Sequence, residues 1–230
     1  MISVVIPVLN QLFLTNKLLD YISNNTVKPV EIFLIDNNST EDIQIVVSSH
    51  PDLNIIYMKQ KRNIGVNAAW NIGIQLAKGN FLSILNNDII IPKFFFEYIE
   101  ELMTRRLEVG ICVPNTIDDK MFVLTTENYS YVKTVPLGKR EGWAFTIRTS
   151  IARNFYPIPI DLKLFFGDDY LFEKTRELKN TVVKMITNPI YHYGSVTLSE
   201  TLGDLRTLKS LKDEREIWEK LKNDQTNTNK

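Results

Sequence analysis

The sequence predicts an α/β domain built on a mostly parallel, doubly wound sheet with helices on both faces. Three observations predict it. Short runs dense in β-branched residues alternate with segments whose apolar residues recur at helical spacing through residues 1–90. The connections between them are short, as in successive β-α-β units. A polar cluster also follows three of the strands, at Pro7 to Asn10, Asp36 to Ser39 and Asn86 to Asp88, which is the rim where such sheets bind ligands.

Ile2 to Val8 reads as a buried strand that opens into a loop at Pro7 and Asn10. Leu14, Leu18, Leu19 and Ile22 line one face of a helix over Leu12 to Ser23, ended by Asn24, Asn25 and Pro29. Val30 to Ile35 is the second strand, and Asp36 to Thr40 is a polar cluster able to cap a helix from Glu41 to Ser49. Ile55 to Met58 is a third strand, Asn63 to Leu76 a helix stopped at Lys78-Gly79, and Phe81 to Leu85 the fourth strand. The second part is less regular. A helix over Pro92 to Arg106, a strand over Gly110 to Pro114, a hairpin within Asp118 to Tyr131 and a strand over Gly142 to Ile147 are expected. A helix over Asp168 to Lys179 opens with two acids, which its N-terminal dipole favours whatever else they do. Val182 to Ile186 is a strand ended by Asn188-Pro189, and Leu205 to Leu221 is a charged amphipathic helix. Residues 1–222 form a single domain on this reading, with 205–221 its C-terminal helix and the polar stretch 223–230 disordered.

Composition narrows the function classes. The chain has 230 residues, 27 basic and 27 acidic side chains, and 44% hydrophobic content, an ordinary globular composition. Neutral net charge argues against a nucleic-acid or polybasic membrane partner. The single cysteine, Cys112, excludes an internal disulfide framework and a cysteine-built zinc cluster and reads as a buried apolar residue. No run is long enough to span a membrane. The apolar start lacks a cationic lead-in and contains Pro7, so it reads as a strand rather than a signal peptide, and a cytoplasmic location is expected.

A dinucleotide site of the dehydrogenase type needs a glycine-rich turn after the first strand, whereas here that turn reads Pro7-Val8-Leu9-Asn10. No P-loop is present either. What the strand ends offer instead is Asp36, suited to a base or ribose, and Asp88, suited to a hard divalent cation. His192 is one of two histidines, the other being His50, and a lone histidine between tyrosines is as consistent with a structural role as with a ligand. Trp143 reads as a core residue from its surroundings alone.

Ile2 to Asn10, Leu34-Ile-Asp-Asn-Asn-Ser39, Arg62 to Gly73 and Leu85-Asn-Asn-Asp88 resemble, in order and spacing, the successive signatures of family 2 glycosyltransferases with the GT-A fold. Downstream, Phe165-Phe-Gly-Asp-Asp169 resembles the family's Glu-Asp motif, and His192-Tyr-Gly-Ser195 the histidine motif of its rhamnosyl- and galactofuranosyl-transferase-like members. The resemblance implies a nucleotide-binding half at 1–90 and an acceptor and catalytic half at 91–200. It implies that Asp36 binds the uracil or nucleoside of the donor, with Pro7, Val8, Asn10, Arg62 and Asn63 completing the pocket and Gly65 keeping the loop open. Asn86-Asn87-Asp88 stands where the family has Asp-x-Asp, so Asp88, joined by His192, would ligate Mn²⁺ or Mg²⁺. Asn86 brings no charge where the family has its first acid. Asp169 is implied as general base, with Asp168 the alternative base or an acceptor ligand, and Trp143 and Gly167 as parts of the acceptor or sugar pocket.

The implied activity is inverting transfer of a sugar from a nucleotide-diphosphate sugar, UDP-linked in the first instance and dTDP-linked in the second, to a glycan, lipid-linked or protein acceptor hydroxyl. A lipid-linked acceptor would put the protein peripherally at a membrane. A catalytically silent nucleotide-sugar or carbohydrate-binding protein on the same fold is the alternative. A sugar-phosphate nucleotidyltransferase would open with a glycine-rich basic loop that this chain lacks. Exposure of Trp218 and Leu221 on the C-terminal helix would favour a homodimer through that helix.

Overall fold

Four strands run parallel at the start of the sheet: β1 (Ile2–Val8), β2 (Val30–Asp36), β3 (Asn54–Lys59) and β4 (Phe81–Leu85). The structure is a computed structural model that describes residues 1–27, 30–117, 131–132, 142–194 and 205–228. The remaining strands are β5 (Ile89–Ile90), β6 (Val109–Ile117), β7 (Tyr131–Val132), β8 (Ala144–Arg148) and β9 (Thr181–His192), and they join β1 to β4 in one sheet of order β3-β2-β1-β4-β8-β6-β9-β5, with β7 pairing β9. The parallel, helix-covered half matches expectation. Beyond β4 the sheet is mixed: β8 is antiparallel to β4 and β6, while β6 and β9 are parallel.

Helices cover both faces, as the alternation of buried strand residues requires. Val4, Ile6 and Val8 of β1 face one cluster with Leu18, Leu19 and Ile22 of α1 (Leu12–Asn25), Val46 of α2 (Gln44–Ser48) and Phe95, Phe96 and Ile99 of α4 (Phe95–Arg105). Val5, Phe33 and Ile35 face the other, with Trp70 and Ile74 of α3 (Val66–Leu76), Ile151 of α5 (Thr149–Asn154) and Leu171 and Phe172 of α6 (Gly167–Glu177). Each fully buried side chain of this size contributes roughly 1.5–3 kcal/mol by removal from water. No helix among the described residues is long and apolar enough to cross a membrane.

Several boundaries differ from the sequence expectation. The cluster 36–40 does not cap α2, which starts late at Gln44 behind Ile43 without a side-chain cap; its polar groups are spent on the neighbouring loop instead. Asn188-Pro189 does not end β9. Asn188 adopts a left-handed conformation (φ 56°) and its amide donates to the Lys93 carbonyl, so β9 bulges there and resumes its pairing with β6 at Ile190. His192 therefore closes a strand rather than following one. The hairpin expected within 118–131 lies, apart from Tyr131, outside the described residues.

The C-terminal helix, α7 (Leu205–Thr228), runs past Asn223, where the polar composition predicts disorder; a helix already nucleated extends with one hydrogen bond per added residue. Trp218 is not exposed on it. It is 4% accessible and its ring stacks on Phe166, so Trp218 itself offers no exposed surface for pairing through this helix.

Candidate functional site

The rim at the carboxyl ends of β1 and β2 is zipped together by its own loops. The register pairs Val8 with Asp36, and the Asn37 N–H donates to the Val8 carbonyl at 2.7 Å. That places the Pro7 nitrogen on the opposite edge, past the last β1–β4 pair at Val5–Ile84, so a proline in a central strand forfeits no ladder bond there. The Asn10 N–H donates to Ser39 Oγ at 2.8 Å, and Asn10 Oδ1 accepts from the Thr40 N–H at 2.9 Å. Asn10 and Gln11 are both left-handed, and Glu41 accepts from the Leu12 N–H at 3.0 Å, an acid from the neighbouring loop placed at the N-terminus of α1.

Asp36 is fully enclosed. Its Oδ1 accepts from the Ser39 N–H and its Oδ2 from the Tyr57 hydroxyl, both at 2.7 Å, with Lys59 Nζ 3.8 Å away. Burial, with the Asp36 carboxylate beside it, pushes the Tyr57 phenol well above its ordinary pKa. The carboxylate thus organises the 36–39 turn, while the adjacent Asn37 Oδ1 is buried without a hydrogen-bond partner. Tyr57 and Lys59 were not singled out in the sequence; their position at the end of β3, on the same rim, is the signal that could have found them.

Arg62 and Asn63 are exposed on the loop before α3, where Asn63 Oδ1 accepts from the Gly65 N–H at 2.9 Å. Gly65 is tied to a distant segment. At φ 88° it lets the backbone press against the Lys163 carbonyl, 2.5 Å from where a Cβ would stand, contact that no other residue allows.

The second cluster forms where β4, β8 and β9 meet. The Asn86 N–H donates to the Trp143 carbonyl at 2.8 Å, and Asn87 Nδ2 donates to Thr15 Oγ1 at 3.0 Å. β5 pairs with the end of β9, so that the Tyr193 N–H donates to the Asp88 carbonyl at 2.9 Å and His192 Nε2 lies 3.3 Å from Asp88 Oδ1. The His192 ring stacks flat on Trp143, with centroids 4.5 Å apart and 9° between planes. Asp88 is 4% exposed.

Asp168 and Asp169 occupy the first turn of α6, as expected, and Asp169 is 7% exposed. Asp168 lies over Gly142, where an added Cβ would come 2.2 Å from its Oδ2. Contacts therefore run without a break from Asp168 through Gly142 and Trp143 to His192 and Asp88. Gly167 packs against Asn67 Oδ1, which makes it a packing residue at the base of α6.

Among the described residues no group of three or more His, Cys, Asp and Glu could hold a metal ion. The facing Asp88 oxygen and His192 nitrogen nevertheless make a two-member donor set. A carboxylate oxygen suits hard divalent cations and an imidazole moves the preference towards a transition metal, so the pair fits Mn²⁺ if oxygens of a bound ligand complete the shell.

The family model described as glycosyl transferase family 2 matches residues 3–157. Among curated proteins, an uncharacterized glycosyltransferase of Rickettsia bellii is 32% identical over 108 residues, which cover 46% of this chain and 15% of that protein. The chain spans less than a quarter of the length of the first such relatives. Among solved structures, Staphylococcus aureus TarS in complex with UDP superposes with a TM-score of 0.67 at 18% identity, covering 83% of this chain and 59% of that one. A mannosyltransferase of Pyrobaculum calidifontis, solved with GDP-Man and Mn²⁺, gives 0.67 at 17% identity, covering 83% and 56%. These likenesses show the GT-A fold.

Proposed function

The chain belongs to glycosyl transferase family 2, and from that premise we propose that it moves a sugar from a UDP-sugar to an acceptor hydroxyl in one inverting displacement. The observation that carries this is the continuous contact from Asp168 and α6 through Gly142 and Trp143 to the Asp88–His192 pair. It joins a carboxylate-bearing helix start to a pair of groups suited to a diphosphate and its cation.

The donor nucleoside lies on the β1–β2–β3 rim, against Pro7, Val8, Asn10, Asn37 and Tyr57, with Arg62 and Asn63 reaching in from the exposed loop. Asp36 holds that floor in shape. Asn86 and Asn87 shape the β4 turn, and the Asn86 amide hydrogen-bonds ribose without adding charge. A divalent cation held by Asp88 and His192 would supply the positive charge that lets the nucleoside diphosphate leave. Trp143, stacked under His192, forms the floor for the sugar. Asp169 takes the proton of the acceptor hydroxyl as that oxygen attacks the anomeric carbon, and Asp168 holds acceptor hydroxyls. One displacement inverts the anomeric configuration, and no covalent intermediate on the protein is required.

UDP is taken first because solved neighbours of this fold bind it, as TarS does, although the GDP-Man-bound mannosyltransferase is equally similar; titration decides between them. Calorimetric titration with UDP, dTDP and GDP, each with and without Mn²⁺, followed by donor hydrolysis on the nucleotide that binds, tests the proposal. Mn²⁺-enhanced UDP binding and release of a β-configured sugar from an α-linked donor are expected. Failure of the folded chain to bind any nucleotide overturns it, and binding without turnover leaves a nucleotide-sugar-binding protein.

A further inference from the structure

The loop that delivers α6 is held from both sides by side chains distant in sequence. On one side Glu214 of α7, 3% exposed, accepts three backbone N–H groups with a single oxygen: Lys163 at 3.0 Å, Leu164 at 3.1 Å and Phe165 at 2.8 Å. Its other oxygen accepts from the Ser210 hydroxyl at 2.7 Å. On the other side Asn67 of α3, 1% exposed, donates to the carbonyls of Leu162 at 3.0 Å and Phe165 at 2.9 Å, and its own N–H donates to the Lys163 carbonyl at 3.2 Å. Trp218 stacks on Phe166, the left-handed residue that precedes α6 without a side-chain cap.

This is more than a surface helix needs in order to dock. A buried carboxylate is costly unless hydrogen bonds satisfy it, and Glu214 spends three of its four bonds on one short loop. Asn67 takes that loop's carbonyls while Glu214 takes its N–H groups. The two residues that follow the loop and Gly167 are Asp168 and Asp169. Asn67 also stands two residues after Gly65, whose backbone touches Lys163, so the clamp ties the donor side of the rim to the start of α6.

We propose that Glu214 and Asn67 are positioning residues for sugar transfer, clamping the 162–166 loop so that α6 presents its acids to the donor. The inference rests on the proposed transfer activity but not on which acid is the base, because both ride on the same helix turn. A displacement of about 1 Å at a reacting group can cost about 10²-fold in rate.

The test uses the full chain with Glu214→Ala, Glu214→Gln and Asn67→Ala. Turnover is read as hydrolysis of the UDP-sugar that the unaltered chain cleaves, binding as calorimetry of UDP with Mn²⁺, and local order as amide hydrogen exchange. For Glu214→Ala, kcat is expected to fall about 10²-fold while the donor KM and the UDP Kd stay within about threefold, with faster exchange at 163–165 and at 167–169. Glu214→Gln keeps an acceptor oxygen and is expected to recover about tenfold of the loss. Asn67→Ala repeats the kcat effect from the opposite side.

An unchanged kcat with faster exchange overturns the proposal, as does a loss shared equally by kcat, UDP binding and global stability, or no recovery in Glu214→Gln. If Glu214→Ala fails to fold, Glu214→Gln and Asn67→Ala decide by the same readings. If the unaltered chain turns over no donor, the transfer reading fails on its own. The clamp is then judged by exchange at 167–169, where an unchanged rate in both Glu214→Gln and Asn67→Ala refutes it.

Discussion

The part of the rim at the ends of β1, β2 and β4, proposed to hold the donor, and the part around β8, α6 and β9, proposed to carry the catalytic groups, are positioned by different means. In the first, Val8, Asp36 and Leu85 end adjacent parallel strands, and the ladder that pairs Val8 with Asp36 fixes the loops that follow. In the second, Trp143 just before β8, Asp168 at the start of α6 and His192 at the end of β9 are brought together by side-chain contacts: Asp168 over Gly142, Trp143 on His192, the loop before α6 between Asn67 and Glu214. A backbone ladder spreads its constraint over many bonds. A side-chain clamp concentrates it in one or two residues. Single substitutions in the donor half should therefore register mainly in stability or affinity, and those in the catalytic half mainly in turnover.

The sharpest test of that contrast is Asp169→Asn. Loss of a general base is expected to lower turnover by about 10²- to 10⁴-fold with UDP binding unchanged. Steady-state kinetics beside calorimetry would check it, and normal turnover in this variant with loss in Asp168→Asn would transfer the role to the neighbour. Next comes Asp88→Ala, which should weaken the Mn²⁺-dependent part of UDP binding by about 10- to 100-fold, read as the difference between titrations with and without the metal.

A pair of glycines separates the halves more directly. An added Cβ at Gly73 would stand 2.0 Å from Val5 Cγ2 in the core between α3 and β1, and one at Gly142 would stand 2.2 Å from Asp168 Oδ2. Gly73→Ala is expected to cost about 1–3 kcal/mol of stability through overpacking, measured by urea unfolding, with turnover per folded molecule retained. Gly142→Ala should do the reverse, displacing Asp168 and lowering turnover with a smaller shift of the unfolding midpoint. Equal effects of the two on both quantities would break the comparison.

The smallest expected effect is on pH dependence. Burial pushes the Cys112 thiol up from 9.0 to about 12, and burial and Asp36 raise Tyr57 as well. A group whose folded pKa is raised binds its proton more tightly in the native state, so its contribution is complete below the unfolded pKa and is lost as pH rises towards the folded one. The contribution of these two groups should be lost above pH 9, with Cys112 contributing a slope of at most about 1.4 kcal/mol per pH unit. Urea midpoints at several alkaline pH values, with thiol labelling to confirm that Cys112 is unreactive in the folded chain, would check it.

Legibility followed the same division. The strands β1 to β4 and the helices α1 and α3 could be read from periodicity because each buries a continuous apolar face. The two-residue β5 could not, since Ile89 and Ile90 continue an apolar run that has no period of its own; only pairing with Tyr191 and His192 makes it a strand. The residues of α5 follow β8 without a break in the chain, leaving no turn signal between them. Glu214 looked like one more charge on a polar helix, and nothing in its sequence neighbourhood marks it as buried. Gly65 was legible as a glycine with a task, but the task is close contact with Lys163, almost a hundred residues away.

By itself the sequence determined the layered α/β architecture, the rim carrying Asp36 and Asp88, and the family resemblance, because strand periodicity and strand-end position are local properties of the chain. Tertiary structure alone decided that Asp36 is enclosed by Tyr57 and Ser39, that Asp88 faces His192 above Trp143, and that α7 turns a carboxylate inward onto the loop before α6. Those are contacts between segments far apart in sequence, and a buried polar group has no identity until the fold supplies its partner.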